Sequence, residues 1–190
     1  MGAGADMKRI AAVLALLLVD VPAAAAQWTV VPAQSRIGFT ATWLGKPVVG
    51  AFARWSATID LDPALPAAAK VAVTVDLASA KTGDRTVDDA LPGDDWFGVT
   101  AGPQARFTAQ KIVAAGLGKF VAMGTLSLRG KIVPVTLPFD LVVAGDTATM
   151  TGRLLLDRRS WKLGIESDAT AEYVAFAVPV AVRVVARRAK

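Results

Sequence analysis

Apolar and polar residues alternate with a period of two through most of this chain, and turn residues interrupt the alternation at short intervals. Ile37, Phe39, Ala41 and Trp43 alternate with Arg36, Gly38, Thr40 and Thr42. A period of two sends successive side chains to opposite faces, so the pattern predicts half-buried β-strands. After the turn Gly45-Lys46-Pro47, the mostly apolar run 48–61 changes phase near Phe52 and Trp55, which predicts a bulge. The same alternation returns at 71–77, 107–110, 120–129, 133–143 and 149–156, and a long apolar run fills 171–186. Gly116-Leu117-Gly118, Gly130 and Gly145-Asp146 supply the turns between them. Residues 79–104 break the pattern: 82–91 reads as a turn followed by a short helix, and Asp94-Asp95-Trp96-Phe97 as the start of another. Long irregular connections of this kind often carry function. A second irregular stretch covers 158–169.

Eight strands in a meander, with one short helical insertion between the third and fourth, predict an all-β fold: an eight-stranded antiparallel up-and-down barrel whose closure removes every sheet edge. Pro134, Pro138 and Pro179 fall inside strand runs, where a residue without an N–H breaks a ladder, and are expected at bulges or strand ends. A two-sheet sandwich is the structural alternative.

The start of the chain lies outside this pattern. Lys8 and Arg9 precede the apolar run Ile10–Val19, and Pro22 and four alanines, 23–26, follow. That is the layout of a secretory signal peptide cleaved near Ala26, with Gln27 as the new N-terminus; Met1 and Met7 are both candidate starts. The run is about half of the roughly 20 residues that span a bilayer. The expected division is a signal peptide, 1–26, and one domain, 27–190, exported to the periplasm. The formal charge of +5 falls on that domain, because the leader's basic and acidic residues cancel. Its cations are scattered without interleaved aromatics, which argues against a nucleic-acid groove. Solubility accounts for the charge, with transient contact at an anionic membrane surface as the secondary reading. The chain has no Cys and no His. It therefore lacks thiol nucleophiles, Ser-His-Asp triads, redox CxxC pairs and the usual ligands of zinc, copper and haem.

The inward faces mix large residues with Ala109, Ala122, Gly124 and Gly152, and small inward residues can leave a void. Phe39, Trp43, Phe52, Phe107, Phe120, Leu126, Phe139 and Met150 are the candidate walls of such a cavity, and Trp96-Phe97 is the candidate lid. A dry, aromatic-lined cavity suits an apolar ligand. By pattern alone, an interior in which these side chains simply meet and pack stands beside the empty one. Asp84, Asp88, Asp89, Asp94 and Asp95 match no calcium-loop spacing, and Asp84 and Asp94 are placed to cap helices. No metal site and no catalytic residue is assigned. Arg85, Arg106, Arg129 and Arg158 are candidate contacts for a polar headgroup, with solvated strand ends as the commoner explanation. Tyr173, the single tyrosine, reads as a structural hydrogen-bonding group.

A series of short motifs adds to this. Trp28-Thr-Val-Val-Pro-Ala-Gln-Ser35-Arg-Ile-Gly-Phe39 is followed by Val49-Gly50-Ala-Phe52, Lys81-Thr82-Gly83 and Asp88-Asp89-Ala90-Leu91. Asp95-Trp96-Phe97 and Pro103-Gln-Ala-Arg-Phe107 come next, then Gly124-Thr-Leu-Ser-Leu-Arg129-Gly130 and Val133-Pro134-Val135 with Leu137-Pro-Phe139. Leu156-Asp-Arg158 and Leu163-Gly164-Ile165 close the series. In this order, over nearly all of 28–186, the chain resembles the YceI-like family. Val31 and Gln34 stand where that family's opening motif has Asp and His, and Trp96-Phe97-Gly98 where it has FFD. The resemblance implies a lipocalin-like barrel that binds a long amphiphilic isoprenoid, of polyprenyl or isoprenoid-quinone type, in the periplasm. It implies a binding protein, monomeric or homodimeric, with no cofactor besides the lipid. A stress-linked structural or interaction protein with a packed barrel, and an isomerase or hydrolase using Asp and Tyr, are the competing readings.

Overall fold

The computed structural model describes residues 26–189; the signal-peptide assignment therefore falls almost wholly outside the described residues. Eleven strands form one antiparallel sheet that closes on itself. They are β1 (Gln27–Val30), β2 (Arg36–Trp43), β3 (Lys46–Phe52), β4 (Trp55–Asp60), β5 (Lys70–Asp76), β6 (Ala80–Lys81), β7 (Gln104–Gly116), β8 (Lys119–Leu128), β9 (Lys131–Ala144), β10 (Thr147–Asp157) and β11 (Ala177–Arg188). The expected eight staves are present, because the first three are each broken in two. β1 and β2 both pair with β11 on either side of a 3-10 turn at Pro32–Gln34. β3 and β4 are separated by Ala53 and Arg54, and β5 and β6 by a 3-10 turn at Leu77–Ser79. The closing contact of β11 with β1 and β2 turns the meander into a barrel, and the sandwich alternative falls.

The phase change near Phe52 is one of these breaks. The backbone N–H groups of Ala53 and Arg54 leave the ladder and donate to the carbonyl and hydroxyl oxygens of Ser79. The break at Val31 is held in the same way, by Ser35, whose hydroxyl accepts from Val185 N–H and donates to Val31 carbonyl oxygen.

The prolines are not at bulges or strand ends. Pro134 and Pro138 lie within β9, opposite Thr125 and Val121, and Pro179 lies within β11, opposite Leu155. The β9–β10 ladder begins only at Phe139, opposite Gly152, so residues 131–138 pair on one side alone and have an edge on which a missing N–H costs nothing. Beyond this point β9 and β10 diverge. Trp161, from the 3-10 turn Arg158–Trp161 that contacts β9, is 2% exposed and donates its indole N–H to Leu126 carbonyl oxygen.

The insertion between β6 and β7 holds the single described α-helix, α1 (Arg85–Ala90). Asp84 caps it, accepting from the N–H groups of Thr86 and Val87. Asp94 caps no helix, contrary to expectation: the chain there is a series of turns, and its carbonyl oxygen accepts from Arg129.

Candidate ligand-binding site

Closing the sheet turns one face of every stave inward, and these faces are apolar by the alternation already described. The buried residues nevertheless do not form one core. They divide into a cluster around Trp28, Leu61, Ile112, Phe120 and Leu141, and a second around Phe39, Leu77, Leu91, Phe97 and Trp161. Between them runs a cavity of about 290 Å³. The inward valines of β5 (Val71, Val73, Val75) and β11 (Val178, Val180, Val182, Val184) line it and are only half-buried, because each presents part of its surface to the void. The interior is therefore not filled in the way a packed barrel is.

The lining is apolar apart from Arg158. Three indoles, Trp28, Trp96 and Trp161, also line it, and the N–H groups of Trp28 and Trp161 donate to the carbonyl oxygens of Leu61 and Leu126. Arg158 is 2% exposed and fully engaged: its guanidinium donates to the carbonyl oxygens of Leu163, Gly164, Asp168 and Val174, and forms a 2.9 Å ion pair with Asp168. Burial pushes the Asp168 carboxyl upward, but the N–H groups of Val174 and Tyr173, with the Arg158 charge, outweigh it and hold the group below 3.8. The surface presented to the cavity is almost wholly apolar, so it selects a ligand by shape and apolar character.

Eight of the expected wall and lid residues line the cavity: Phe39, Phe52, Trp96, Phe97, Phe107, Leu126, Phe139 and Met150. Phe39, Phe52 and Phe97 form a row of mutually tilted rings, with centroid separations of 5.4 and 6.0 Å. Trp43 and Phe120 do not line it. Trp43 ends β2 beside Val174 in an isolated bridge, and Phe120 is buried against Phe139, 5.5 Å centroid to centroid. Gly124 and Gly152 do not leave the void either. A Cβ on Gly124 would meet Thr108 carbonyl oxygen at 2.2 Å, and one on Gly152 would meet Leu137 and Pro138 at 3.0 Å, so their space is already occupied. Much of the void is instead walled by the half-buried valines of β5 and β11. The aliphatic lining of β5 and β11 was legible in the alternation; its emptiness was not.

The four candidate headgroup arginines are committed elsewhere. Arg85 is exposed and pairs with Asp89; Arg106 is exposed and donates to Gln104. Arg129 donates to the carbonyl oxygens of Asp94, Asp95 and Lys162, and Arg158 is saturated as described. The last two instead build a cap. Arg129 bridges the insertion 82–103 and the irregular segment 158–176. Asp95 reinforces the bridge, accepting from the N–H groups of Glu166 and Ser167 and from the Ser167 hydroxyl. Burial pushes the Asp95 carboxyl upward, but these three donors and the Arg129 charge hold it below 3.8. Trp96 packs directly on Gly164, where a Cβ would come within 2.6 Å of the indole. The expected lid pair is thus part of a cap fastened by at least seven hydrogen bonds. At the other end the lining reaches Pro63 and Val143, and Val143 is the one lining residue that is exposed. Val31 and Gln34 lie in the turn between β1 and β2 and are not part of the lining, so their departure from the family pattern does not alter the cavity.

A closed eight-stranded barrel around an apolar cavity defines a class: a β-barrel of lipocalin-like architecture. The family model for the YceI-like domain matches residues 28–186, and the chain belongs to the YceI family. A UPF0312 protein of Photorhabdus laumondii is 34% identical over 134 residues, 69% of each chain. Protein YceI of Shigella flexneri is 35% identical over 97 residues, 51% of this chain and 50% of that one. Among solved structures, BcnA of Burkholderia cenocepacia superposes with a TM-score of 0.80 at 32% identity, covering 83% of this chain and 99% of its own. A polyisoprenoid binding domain from Saccharophagus degradans shares the fold, with a TM-score of 0.68 at 18% identity over 87% of this chain and 99% of that one.

Proposed function

We propose that this protein is an exported, periplasmic binding protein that holds the tail of a long amphiphilic isoprenoid, of polyprenyl or isoprenoid-quinone type, inside its barrel. The observation that carries the reading is the cavity lined almost wholly by apolar side chains, whose one charged residue among those described, Arg158, is saturated. The polyisoprenoid-binding description of the Saccharophagus degradans domain with this fold supports it. Export rests on the leader pattern of residues 8–26.

Each buried methylene is worth about 0.8 kcal/mol relative to water. A tail of tens of carbons would on that scale exceed the ceiling of about 20 kcal/mol seen for non-covalent binding. The ligand's actual alternative is a membrane, where its tail is equally well solvated, so net preference must come from fit. A polar headgroup finds no partner inside and stays at the mouth. An enzymatic role would need reacting groups in the cavity; among the described residues the only ionisable one in its lining is Arg158, and every donor direction it has is taken. Protein stripped of lipid and mixed with a fluorescent isoprenoid analogue binds it one to one at micromolar concentration on this reading. Absence of saturation there refutes it.

A further inference from the structure

We propose that the outer wall of the barrel carries an anion-binding groove, built by Arg36, Arg153 and Arg183, that takes a phosphate group. The groove lies across the barrel wall from the cavity, with Phe39, Phe139 and Val182 common to both linings, and the proposal does not depend on what the cavity holds. β2, β11 and β10 are neighbours in the sheet, and the side chains that alternate with the cavity lining face outward. Arg36 lies directly opposite Arg183 in the β2–β11 ladder. Arg153 lies opposite Ala181, two residues from Arg183 along β11. Directly opposed residues on one face have their Cβ atoms about 5 Å apart and diagonal ones about 7–8 Å, within reach of three guanidinium groups that converge on one anion. All three line a single groove.

Two further features mark the site. Between the arginines lie Gly38 and Ala181, opposite each other, so the floor is small and the guanidinium groups rim a hollow, with Thr40 and Thr151 as additional hydroxyl donors. Like charges set directly opposite each other destabilise a sheet, and nothing among the described residues relieves these. Arg54, Arg85, Arg106, Arg129, Arg158, Arg159 and Arg188 each have a carboxylate, amide or carbonyl partner. Arg36, Arg153 and Arg183 have none, and neither has Arg187, which lies outside the groove. The one carboxylate in the groove, Asp140, is held by Lys119 at 2.8 Å, which leaves a net positive site. Arginine forks match phosphate oxygens bidentately, which makes a phosphate the anion that best answers three of them.

The phosphate can belong to a phospholipid headgroup or to a soluble species, and the test separates the two. The mature protein is titrated with inorganic phosphate while the Nε–Hε signals of arginine are followed by NMR. In parallel, co-sedimentation is measured with phosphatidylcholine vesicles that contain or lack phosphatidylglycerol. The groove predicts saturable shifts at Arg36, Arg153 and Arg183 and none at Arg54. The double variant Arg36→Gln/Arg183→Gln weakens anion binding about tenfold or more. Arg54→Gln/Arg85→Gln, which removes the same charge elsewhere, leaves it unchanged. Phosphate binding without preference for the phosphatidylglycerol vesicles assigns a soluble ligand; preferential, groove-dependent binding of those vesicles assigns a headgroup. Because the arginines repel one another, the double variant melts no lower than the parent, and Arg153→Gln alone serves as a second variant. Equal losses in the groove and control variants, or no saturable binding of either probe, overturns the proposal.

Discussion

Val73→Phe tests whether the barrel interior is empty. Val73 sits mid-strand in β5, opposite Ala57 on β4 and Phe107 on β7, and faces the cavity half-buried. In a filled barrel a larger side chain forces neighbours off their rotamers and costs about 1–3 kcal/mol. In this one the ring enters space that valine does not reach. The additional buried apolar area is about 40 Å², worth about 1 kcal/mol of stabilisation. For a domain of this size that raises the melting temperature of lipid-free protein by about 2–4 °C, whereas overpacking lowers it by about 2–12 °C, so the sign alone decides. The ring also takes the place of about three or four methylenes of a bound tail, about 3 kcal/mol, and weakens an isoprenoid probe by about a hundredfold. Thermal denaturation of stripped protein and fluorescence titration read the two effects separately. A lower melting temperature with unchanged probe affinity would refute the reasoning.

The remaining predictions concern the cap. Arg158→Met leaves Asp168 charged and buried and four carbonyl oxygens without their donor; it costs about 3–5 kcal/mol, measured by urea denaturation, and a loss below 1 kcal/mol would show that the network is dispensable. Gly164 has φ +62° with the Trp96 indole against it, so Gly164→Ala both strains the backbone and displaces the ring; Trp96 emission should shift red while far-ultraviolet circular dichroism of the barrel is kept. Asp95 and Asp168 both have folded-state pKa values lowered below 3.8, so the stability they add is complete above the unfolded value and is lost as the pH falls through their folded values. Near-ultraviolet circular dichroism of the cap tryptophans should therefore change below pH 3.8, and Asp95→Asn should remove part of that pH dependence; an unchanged profile counts against the cap as the acid-sensitive element.

The alternation of Ile37, Phe39 and Ala41, and its repeats in β5 and β7 to β11, was enough to predict the staves, their inward faces and the position of the helical insertion. That information is local: each strand needs only its own period to declare which side goes inside. The breaks in the first three staves were less legible, because they depend on partners far away in the chain, such as Ser79 for Arg54 and Val185 for Ser35. Pro134 and Pro138 sit mid-strand, against the expected bulges or strand ends, for a related reason. Whether a proline disrupts a ladder depends on whether a neighbour strand is present at that residue, and only the divergence of β9 from β10 settles it.

The amino-acid sequence by itself determined that this chain closes a sheet around an apolar interior, since every stave carries one greasy face and a meander of eight can bury them all. Tertiary structure alone decided that the interior stays open, because a void is a relation between opposite walls and has no signature in either. It also decided the work of the arginines. A guanidinium reads the same in any strand or loop, yet Arg129 and Arg158 found carbonyl oxygens in the cap, while Arg36, Arg153 and Arg183 were brought by strand register to one outer face with no ion-pair partner.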